Sequence, residues 1–518
     1  MKNALGIEMP DWIPGYGPVK PYGGVEARQG EPAARASSRI HRRGRRGQAK
    51  LLDSFGTLFE AIGLKDGMTV SFHHHLRNGD KVTNLVMQKM ADYGVKDIHL
   101  AATGLFPCHE PLVALMKTGV ITQISASALG HGAVTEAVSK GFLEKPAILY
   151  THGGRARAVE SGDLPIHVVF VAAPSCDAQG NMNGSRGPNA CGCLAYHYAD
   201  VQHADWVVAV TDNLVDYPCC PIEIAEDCVD YVIQIDSIGD PRGIASGAMA
   251  ITTDPDRLEI AALTADFIDA LGLIRDGMSF QTGAGGISLA VAAKVRDKML
   301  EKGVVGSFGS GGIHGYFVKM LEEGLLRTLL DVQCFDIESI ENIKTDPRHM
   351  IMSASQYANP ENKGCVVNHL DVMILGAFEA DVAFNLNVNT GSDGIIRAAS
   401  GGNADTAAGS RLSIVVSELM KKNGRCFIRD HVTTITTPGE TVDAIVTDRG
   451  IAVNPLRRDI VDRLKDSGLP IVDIQTLRQI GRSLGAADEQ ARCGDRIVGV
   501  VEYRDGTVID LIRVVLDA

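Results

Sequence analysis

Three consecutive histidines and an arginine lie in one short polar segment, SFHHHLRNGD at 71–80. Adjacent residues on an extended chain point to opposite faces, so at most His73 and His75 share a side, while His74 points to the other. The planar guanidinium group of Arg77 suits a carboxylate. A metal site needs further ligands that this spacing does not supply. The segment therefore favours a polar wall facing an anionic substrate, and a loop held by its own hydrogen bonds is the structural alternative.

Glycine-rich segments in the second half of the chain could bind an anion through backbone amides. In QTGAGGISLA at 281–290, Gly283, Gly285 and Gly286 stand between a predicted strand and a predicted helix. Amides at such a position can hold an anion or an oxyanion. The spacing is not GxGxxG, and no acidic residue is clearly placed about 20 residues later to bind a ribose. Tight packing of the helix on the strand explains the glycines equally well.

Two more glycine clusters follow predicted strands. GSFGSGGIHGYF at 306–317 and GSDGIIRAASGGNADTAAGS at 391–410 both contain polar residues that could be simple turn formers. Ligands of open α/β sheets bind at the carboxyl ends of the strands, so three such clusters favour a binding site there. The motifs GxSxG, GxxxxGK[ST] and HExxH are absent, which leaves hydrolase, P-loop and zincin functions without a sequence signal.

An internal repeat supplies the elements that must position these segments. AIGLKDGMTVSF at 61–72 returns as ALGLIRDGMSF at 270–280. HVVFVAAPSCDAQGNMNG at 167–184 likewise aligns with DVMILGAFEADVAFNLNV at 371–388. The strands are nearly continuous apolar runs, as in parallel sheets covered on both faces. The sequence therefore predicts an α/β chain with two similar domains and mainly parallel sheets.

The repeat also sets the expected domain boundaries. We predict a first domain over 51–252 and a second over 253–518, with Asp254 or its neighbour Thr253 capping a new helix at the junction. Residues 1–50 are rich in Pro and Gly and then strongly basic. An extended arm that lies on its own subunit or a neighbour is the first interpretation. A patch for an acidic carrier protein or a phosphorylated cofactor is the second.

Composition excludes several classes of protein. The 518 residues include 50 Lys and Arg against 63 Asp and Glu, a formal net charge of −13 that argues against a nucleic-acid-binding surface over most of the chain. No apolar run reaches the ~18 residues of a membrane span, and no secretory signal is recognisable at the N-terminus. The 11 Cys form no CxxC pair, so we expect free thiols in a reducing cytoplasm and no zinc site.

Seven segments, in this order, resemble the α subunit of citrate lyase. They are DGMTVSFHHHLRNGD, THGGR, PSCDAQGNMNG, QTGAGGISLAVA, SQYANPENKG, NVNTGSDGIIRAASGGNADTA and VTDRGIAVNP. The likeness covers about residues 51–518. It implies membership of the CoA-transferase superfamily, whose fold contains two similar NagB/RpiA-like α/β domains. The repeat found above agrees with that fold.

The resemblance implies an acyl-carrier transferase. Acetyl carrier and citrate would give citryl carrier and acetate, and acetyl-CoA is expected to replace the carrier. No tightly bound cofactor is implied, since CoA or the dephospho-CoA-like prosthetic group of the carrier is the co-substrate. The implied partners are the β (lyase) subunit and the γ (acyl carrier) subunit in a larger oligomeric complex, with neither nucleic acid nor membrane.

The chemistry of this exchange makes few demands on side chains. A carboxylate is already a nucleophile at neutral pH, so the reaction needs positioning, an oxyanion site and cations more than a general base. Similar covalent CoA-transferases carry a GIHSEM-like motif whose Glu forms an enzyme thioester. The corresponding segment here is 312–317, with Tyr316 at the position of that Glu. The resemblance therefore implies transfer without a covalent enzyme intermediate.

Site roles follow from the same resemblance. The amides of Gly283, Gly285 and Gly286 are expected to hold the oxyanion, with His314 and Tyr316 in the catalytic group. The residues expected to face the substrate are His73, His74, Arg77, Asn385, Asn387 and Arg397. Those expected to line the CoA-like arm are Gly401, Gly402, Asn403 and Asp405.

Three other functions stay open from the sequence. A citramalate lyase α subunit would differ only in the cations around the acid. A covalent CoA-transferase would need its Glu elsewhere, and Glu322 and Glu323 are nearby in sequence. A non-enzymatic metabolite-binding subunit is the third.

Overall fold

The structure is a computed structural model that describes residues 1–25, 27, 48–73, 75–245, 251–283, 285–485 and 491–516. The helices of these residues are α1 (Phe55–Ile62), α2 (Val82–Tyr93), α3 (Leu112–Lys117), α4 (Ala133–Ser139), α5 (His152–Ser161), α6 (His197–His203), α7 (Pro255–Ala270), α8 (Gly286–Lys302), α9 (Gly315–Glu322), α10 (Ile337–Ile343), α11 (Ala354–Ala358), α12 (Asn403–Gly409), α13 (Arg458–Leu464) and α14 (Ile474–Ser483). No helix in the described part is long and apolar enough to cross a membrane.

The strands alternate with these helices along most of the chain. They are β1 (Trp12–Ile13), β2 (Gly17–Pro18), β3 (Leu51–Leu52), β4 (Thr69–Phe72), β5 (Ile98–Ala102), β6 (Gly104–Leu105), β7 (Ile121–Ala126), β8 (Ala128–Leu129), β9 (Ala147–Leu149), β10 (Val168–Ala173), β11 (Ser175–Asp177), β12 (Met182–Asn183), β13 (Trp206–Thr211), β14 (Leu214–Val215), β15 (Tyr231–Gln234), β16 (Phe280–Thr282), β17 (Gly306–Ile313), β18 (Leu326–Cys334), β19 (His349–Ile351), β20 (Val372–Leu375), β21 (Glu379–Asp381), β22 (Leu386–Asn387), β23 (Leu412–Val416), β24 (Ile428–Arg429), β25 (Ala444–Thr447), β26 (Gly450–Val453), β27 (Cys493–Glu502) and β28 (Val508–Val515).

Two large sheets organise these strands. The first sheet has the order β28-β27-β9-β7-β5-β4-β10-β13-β15-β3, and the second has the order β19-β18-β17-β16-β20-β23-β25-β26. All neighbours are parallel except the edge pairs β27–β28 and β25–β26. The prediction of an α/β fold with mainly parallel sheets is confirmed.

The two sheets share one topology over seven strands. The order β9-β7-β5-β4-β10-β13-β15 in the first corresponds to β19-β18-β17-β16-β20-β23-β25 in the second. Each half also has a small three-stranded sheet of the same form, β12-β11-β14 and β22-β21-β24. This agreement matches the internal repeat in the sequence.

Apolar strands and capped helices explain why the chain folds in this way. Every residue of Val168–Ala173 is buried, as the apolar run predicts for a strand covered on both faces. Asp254 caps α7 by accepting a hydrogen bond from the amide of Asp256 at 3.1 Å, as the sequence predicted. One core surrounds the first sheet and continues to β18, α10 and α11 of the second half, and two further cores lie against the second sheet.

The predicted second domain, 253–518, needs one correction. Its last two strands, β27 and β28, leave the second sheet and extend the first sheet beside β9. The sequence pattern of β27 and β28 identifies strands but not the edge on which they pair, because pairing over several hundred residues is decided by tertiary packing.

The described part of the N-terminal arm lies on its own chain. Met9, Ile13 and Val19 pack with Val500 and Val508 of the two C-terminal strands. The hydroxyl of Tyr16 donates to Glu502 at 2.7 Å. The first interpretation of the arm therefore holds for residues 1–25, and the basic run at 35–46 lies outside the described residues.

Candidate functional site

A cavity of about 470 Å³, the central cavity, lies between the two large sheets. The first half contributes Arg77, Phe106, Ala128, Leu129, His152 and Tyr196. The second half contributes Gln281, Gly283, Gly285, Gly312, Val332, Gln333, Phe335, Tyr357, Met373, Leu375, Gly376, Ala377, Phe378, Val388, Ala398, Ala399, Ser400, Gly401, Gly402 and Asn403. Most second-half residues follow or end the strands β16, β17, β18 and β20. The cavity is therefore at the carboxyl ends of that sheet, where α/β folds bind ligands.

Arg77 is the cation of the central cavity. Its guanidinium carbon lies 4.8 Å from the ring centre of Phe335 and 5.3 Å from that of Phe106. Burial lowers the pKa of Arg77 below its ordinary value, yet a guanidinium group keeps its charge at any physiological pH. Two aromatic rings therefore hold this charged group at the wall of the pocket. Such a group can bind a carboxylate through two of its three nitrogens.

The loop that carries Arg77 is fixed by buried polar contacts. His109 accepts the amide hydrogen of Phe106 at Nδ1 (2.8 Å), so its Nε2–H donates to Asp80 (2.9 Å). Burial alone would raise the pKa of Asp80, but hydrogen bonds from His109 and from the start of α2 hold it below its usual range. The amide of Cys108 donates to Asn78 at 3.0 Å. These bonds hold Arg77 against Phe106.

The glycine loop after β16 offers the start of a long helix. Gly285 precedes the first residue of α8, Gly286, and no side chain caps this helix. The first amides of a helix have no partner inside it, and the helix dipole adds positive potential there. The amide of Gly283 is already bonded to the carbonyl of Ile374 at 2.9 Å. The amide of Gly283 is therefore not available in this structure, and the oxyanion role of the amides at Gly285 and Gly286 stays a prediction.

Several residues of the central cavity were missed by sequence reasoning. His152 was only part of the THGGR motif and received no role. Its Nδ1 lies 3.1 Å from the hydroxyl of Ser127. Burial, aided by the charge of Arg77, lowers the pKa of His152 to about 4, which makes it a neutral hydrogen-bonding group. The signal available for it was a histidine at a helix start inside a motif of the resemblance.

Gln281 and Tyr357 were missed as well. The side-chain amide of Gln281 donates to the hydroxyl of Tyr357 at 2.7 Å and accepts from Ser310 at 3.0 Å. A Cβ on Gly402 would lie 2.7 Å from that hydroxyl, so the glycine allows the close approach. This contact brings the loop at 401–403 to the floor of the cavity.

The histidine segment stands behind the cavity wall. His73 is 4 % exposed, and its ring packs on Tyr196 at 4.8 Å and on His197 at 5.2 Å. His75 donates to the carbonyl of Ala172 at 2.6 Å, and burial lowers its pKa to about 4. His74 lies outside the described residues. In the structure, His73 and His75 support the residues that line the cavity.

Four predicted residues have other partners outside the central cavity. Asn385 donates to Asp381 at 3.1 Å, and the first half repeats this bond between Asn181 and Asp177 at 2.8 Å. Asn387 donates to Glu379 at 3.0 Å. Asn385 lies in the turn between β21 and β22, and Asn387 is the last residue of β22, so both are buried structural residues of this small sheet.

Arg397 pairs with Asp393 at 2.6 Å and lines a second cavity. Asp405 joins the two halves, because it accepts from the hydroxyl of Thr151 and the amide of Gly153, both at 2.9 Å. Burial raises the pKa of Asp405 to about 6, against the opposing effect of Arg504 at 3.6 Å. Asp405, which was predicted to line the CoA-like arm, therefore forms hydrogen bonds that connect the two halves of the chain.

His314 and Tyr316 lie at the start of α9, next to the cavity but not in its wall. His314 is buried against Phe317, with ring centres 4.9 Å apart, and burial lowers its pKa to about 4. Tyr316 is half-buried beside Arg296 on α8, and burial raises its pKa to about 12. Gly401, Gly402 and Asn403 line the cavity, and their contact with the CoA-like arm stays a prediction.

A possible metal-binding group is present away from these residues. Among the described residues, Asp331, Cys334 and His349 place their ligand atoms within 4.8 Å of one another. His349 also hydrogen-bonds Asp331 at 3.1 Å and Asn342 at 2.9 Å. The group forms a closed hydrogen-bond network under the β18 end of the cavity wall.

Known proteins similar to this chain share its fold and much of its sequence. Two relatives are the citrate lyase alpha chains of Klebsiella pneumoniae, 44 % identical over 495 residues (96 % of each chain), and Escherichia coli, 45 % identical over 459 residues (88 % of this chain and 90 % of that one). A solved citrate lyase alpha subunit from Streptococcus mutans, in complex with citrate, covers 100 % of both chains with 42 % identity and a TM-score of 0.95.

More distant structures share the fold alone. A 4-hydroxybutyrate CoA-transferase from Porphyromonas gingivalis is 16 % identical with a TM-score of 0.54, over 84 % of this chain and 97 % of that one.

The family model "Citrate lyase, alpha subunit (CitF)" matches residues 48–515. The chain therefore belongs to the family of citrate lyase alpha subunits and has a CoA-transferase-like fold.

Proposed function

We propose that this chain exchanges acetate for citrate on a thioester carrier: acetyl carrier and citrate give citryl carrier and acetate. Acetyl-CoA and citrate would react in the same way. The observation that carries the proposal is the central cavity, which joins the Arg77 cation on one side with the uncapped start of α8 on the other. The relative solved with citrate supports citrate as the acid.

The reaction balances without an external reagent. A citrate carboxylate oxygen attacks the thioester carbonyl carbon, and the C–O bond that forms replaces the C–S bond, so the carrier thiolate leaves. The thiolate then attacks the citryl carbonyl of the mixed anhydride, and acetate leaves with the bridging oxygen. The start of α8 would stabilise the oxyanion in both steps, while Arg77 would hold a citrate carboxylate.

The cavity also supports transfer without an enzyme thioester. Among the described residues, none of those that line it is an Asp or a Glu. Tyr316, at the sequence position of the Glu in covalent enzymes, lies beside Arg296 and outside the cavity wall. We therefore infer that the attacking carboxylate belongs to citrate and not to the enzyme.

The assembly follows from the family. We infer that the chain works in the cytoplasm with a lyase β subunit and an acyl carrier γ subunit in a larger oligomer. The carrier's dephospho-CoA-like prosthetic group, or CoA itself, would enter as the co-substrate. No tightly bound cofactor is part of the proposal.

The test uses the purified full chain with acetyl-CoA and citrate, followed by a quench and mass spectrometry. Citryl-CoA without acylated protein is the expected result. Acylated protein would overturn the direct mechanism. Product from citramalate but not from citrate would replace the substrate. Tight citrate binding with no product from acetyl-CoA or from the acetylated carrier would leave a metabolite-binding subunit.

A further inference from the structure

The hydroxyl of Tyr357, a residue of α11 that lines the central cavity, keeps a hydrogen available for a ligand. Among the described residues its one hydrogen bond is accepted from Nε2 of Gln281, at 2.7 Å. The other end of that amide, Oε1, accepts from the hydroxyl of Ser310 at 3.0 Å. The reversed amide would leave the buried Ser310 hydroxyl without its acceptor, so Gln281 donates to Tyr357. The Tyr357 oxygen is therefore an acceptor in this network, and its own O–H can donate elsewhere.

This hydroxyl lies between two of the glycine loops. Gln281 is the middle residue of β16, the strand that leads to Gly285 and α8. On the other side, a Cβ on Gly402 would lie 2.7 Å from the Tyr357 oxygen. The proposed function places the reacting thioester at the start of α8. The O–H of Tyr357 is thus held near the group that reacts.

Other buried polar groups of the cavity wall point to a ligand with acceptor atoms. The hydroxyl of Ser400 and Nε2 of Gln333 line the cavity, both residues are 2 % exposed, and neither atom has a hydrogen-bond partner among the described residues. Buried polar atoms without partners are costly, so a ligand that pairs with them is favoured. Gln333 is in β18, which β17 separates from β16. Tyr357 is the donor tied directly to β16.

A tyrosine in this place can stabilise a thiolate and still keep its proton. Burial raises the pKa of Tyr357 well above its ordinary value, and the bond from Gln281 opposes this only in part. An ordinary thiol has a pKa of about 8.5, so a thiolate does not take the proton from such a hydroxyl. In the proposed exchange the carrier thiolate leaves and then attacks again. It therefore needs a hydrogen-bond donor that does not protonate it.

We propose that the Tyr357 hydroxyl donates a hydrogen bond to the sulfur of the carrier thiolate, both as the thiolate leaves the acetyl group and as it attacks the citryl carbonyl. In the first step the C–S bond breaks and its electron pair stays on sulfur, while the proton stays on Tyr357. In the second step that pair forms the new C–S bond and acetate leaves. The inference rests on the proposed function, in which Arg77 binds citrate and the start of α8 binds the oxyanion.

The experiment compares two acetyl donors that differ in their leaving group. Acetyl-CoA releases an alkyl thiolate, whereas para-nitrophenyl thioacetate releases an aryl thiolate that needs little stabilisation. The kcat/KM of each donor is measured at saturating citrate for the native chain, Tyr357→Phe and the control Tyr503→Phe. Tyr503 is also buried, its hydroxyl has no partner among the described residues, and it does not line the cavity.

We expect Tyr357→Phe to lower kcat/KM for acetyl-CoA by about 10–100-fold and that for the aryl donor by less than about threefold. The Kd for citrate in calorimetry should keep its native value, and Tyr503→Phe should change none of these. Equal losses for both donors would overturn the contact with sulfur, because a role in positioning or at the carbonyl oxygen does not depend on the leaving group. Native kcat/KM in Tyr357→Phe would remove the residue from the reaction.

A titration of the native chain keeps the proposal testable if Tyr357→Phe does not fold. The thiol of bound CoA is followed by its thiolate absorbance in the ultraviolet as the pH is raised. We expect its pKa to lie about one pH unit below that of free CoA. An unchanged thiol pKa would overturn the contact. Absence of citryl-CoA from the native chain would instead overturn the proposed function, and the titration would still decide whether Tyr357 meets the sulfur.

Discussion

The ends of β4 and β16 occupy the same position in the two large sheets but have opposite chemistry. After β4 the chain carries imidazoles and the guanidinium group of Arg77, while after β16 it carries glycines and the start of α8. Both ends face the central cavity. One topology, used twice, therefore provides a side-chain cation on one wall and backbone amides on the other.

The helices that follow these strands sharpen the difference. The carboxylate of Asp80 accepts from the amides of Val82 and Thr83, at 3.0 and 3.3 Å, and so satisfies the start of α2. No side chain caps α8 in the second half. A carboxylate at a helix start neutralises its positive potential. In the first half, the positive potential at the start of α2 is neutralised by Asp80, which stabilises the helix. In the second half, the positive potential at the start of α8 remains available to a ligand.

Placing an acidic cap at the start of α8, as Asp80 does at the start of α2, should have the largest effect on catalysis. Gly285→Asp places a carboxylate at the cap of α8, where the backbone angles (φ −95, ψ 149) suit Asp. We expect kcat to fall by about 10²–10³, because the oxyanion site is filled by a negative charge. The melting temperature should stay or rise. Gly285→Ala is the control, since its Cβ would lie 3.8 Å from the nearest atom, the hydroxyl of Ser288. Full activity of Gly285→Asp would remove the α8 start from the mechanism.

Removing the cation of the other wall should have the next largest effect. For Arg77→Ala we expect the KM for citrate to rise by about 10–100-fold, as for the loss of a charge-assisted hydrogen-bonded pair. The KM for acetyl-CoA should change far less. Steady-state kinetics with each substrate varied in turn provide the measurement. An unchanged citrate dependence would take Arg77 out of the site.

Asp405, which joins the two halves, should have a smaller effect, and this effect is a pH dependence of the free energy of unfolding. Because the pKa of Asp405 is raised to about 6 in the folded chain, its ionised form is disfavoured there. Stability from this group is therefore present at low pH and is lost as pH rises from about 4 to about 6. The free energy of unfolding of the native chain, relative to Asp405→Asn, should fall by about 1–2 kcal/mol over that range. Denaturant titrations at several pH values test this, and a pH-independent difference would contradict it.

The smallest effect is expected at Tyr316. Tyr316→Glu restores the residue type of the covalent enzymes, but the side chain at this position lies beside Arg296 and not in the cavity wall. We expect turnover within about twofold of the native value, because this side chain does not line the cavity. Mass spectrometry after incubation with acetyl-CoA should show no acylated protein. An adduct on the new Glu would show that the position reaches the thioester.

Local sequence signals predict the strands of the fold and some of the residues that line the central cavity. Apolar runs such as Val168–Ala173 predicted the strands, and polar or glycine residues directly after them led to Arg77, Gly285 and Gly401. These residues line the cavity because the ends of parallel strands meet at one edge of a sheet. The positions of such residues relative to the strands can therefore be read from the sequence alone.

Residues that reach the site by tertiary packing could not be predicted in this way. His152 and Tyr196 come from other segments of the first half, and only the packing of two sheets brings them to the glycine loops. Asn385 and Asp405 look like ligands in the sequence, because a turn-forming Asn or a capping Asp is the same residue type as a binding one. Their actual partners became visible only with the fold.

The return of β27 and β28 to the first sheet has a consequence for synthesis and engineering. A nascent chain has an open edge at β9 until β27, which begins at Cys493, has left the ribosome. The first half cannot complete its sheet while the second half is still being made. Truncation near residue 252 would expose that edge, and a fusion or exchange of whole halves would have to keep the β27–β28 hairpin with the first half.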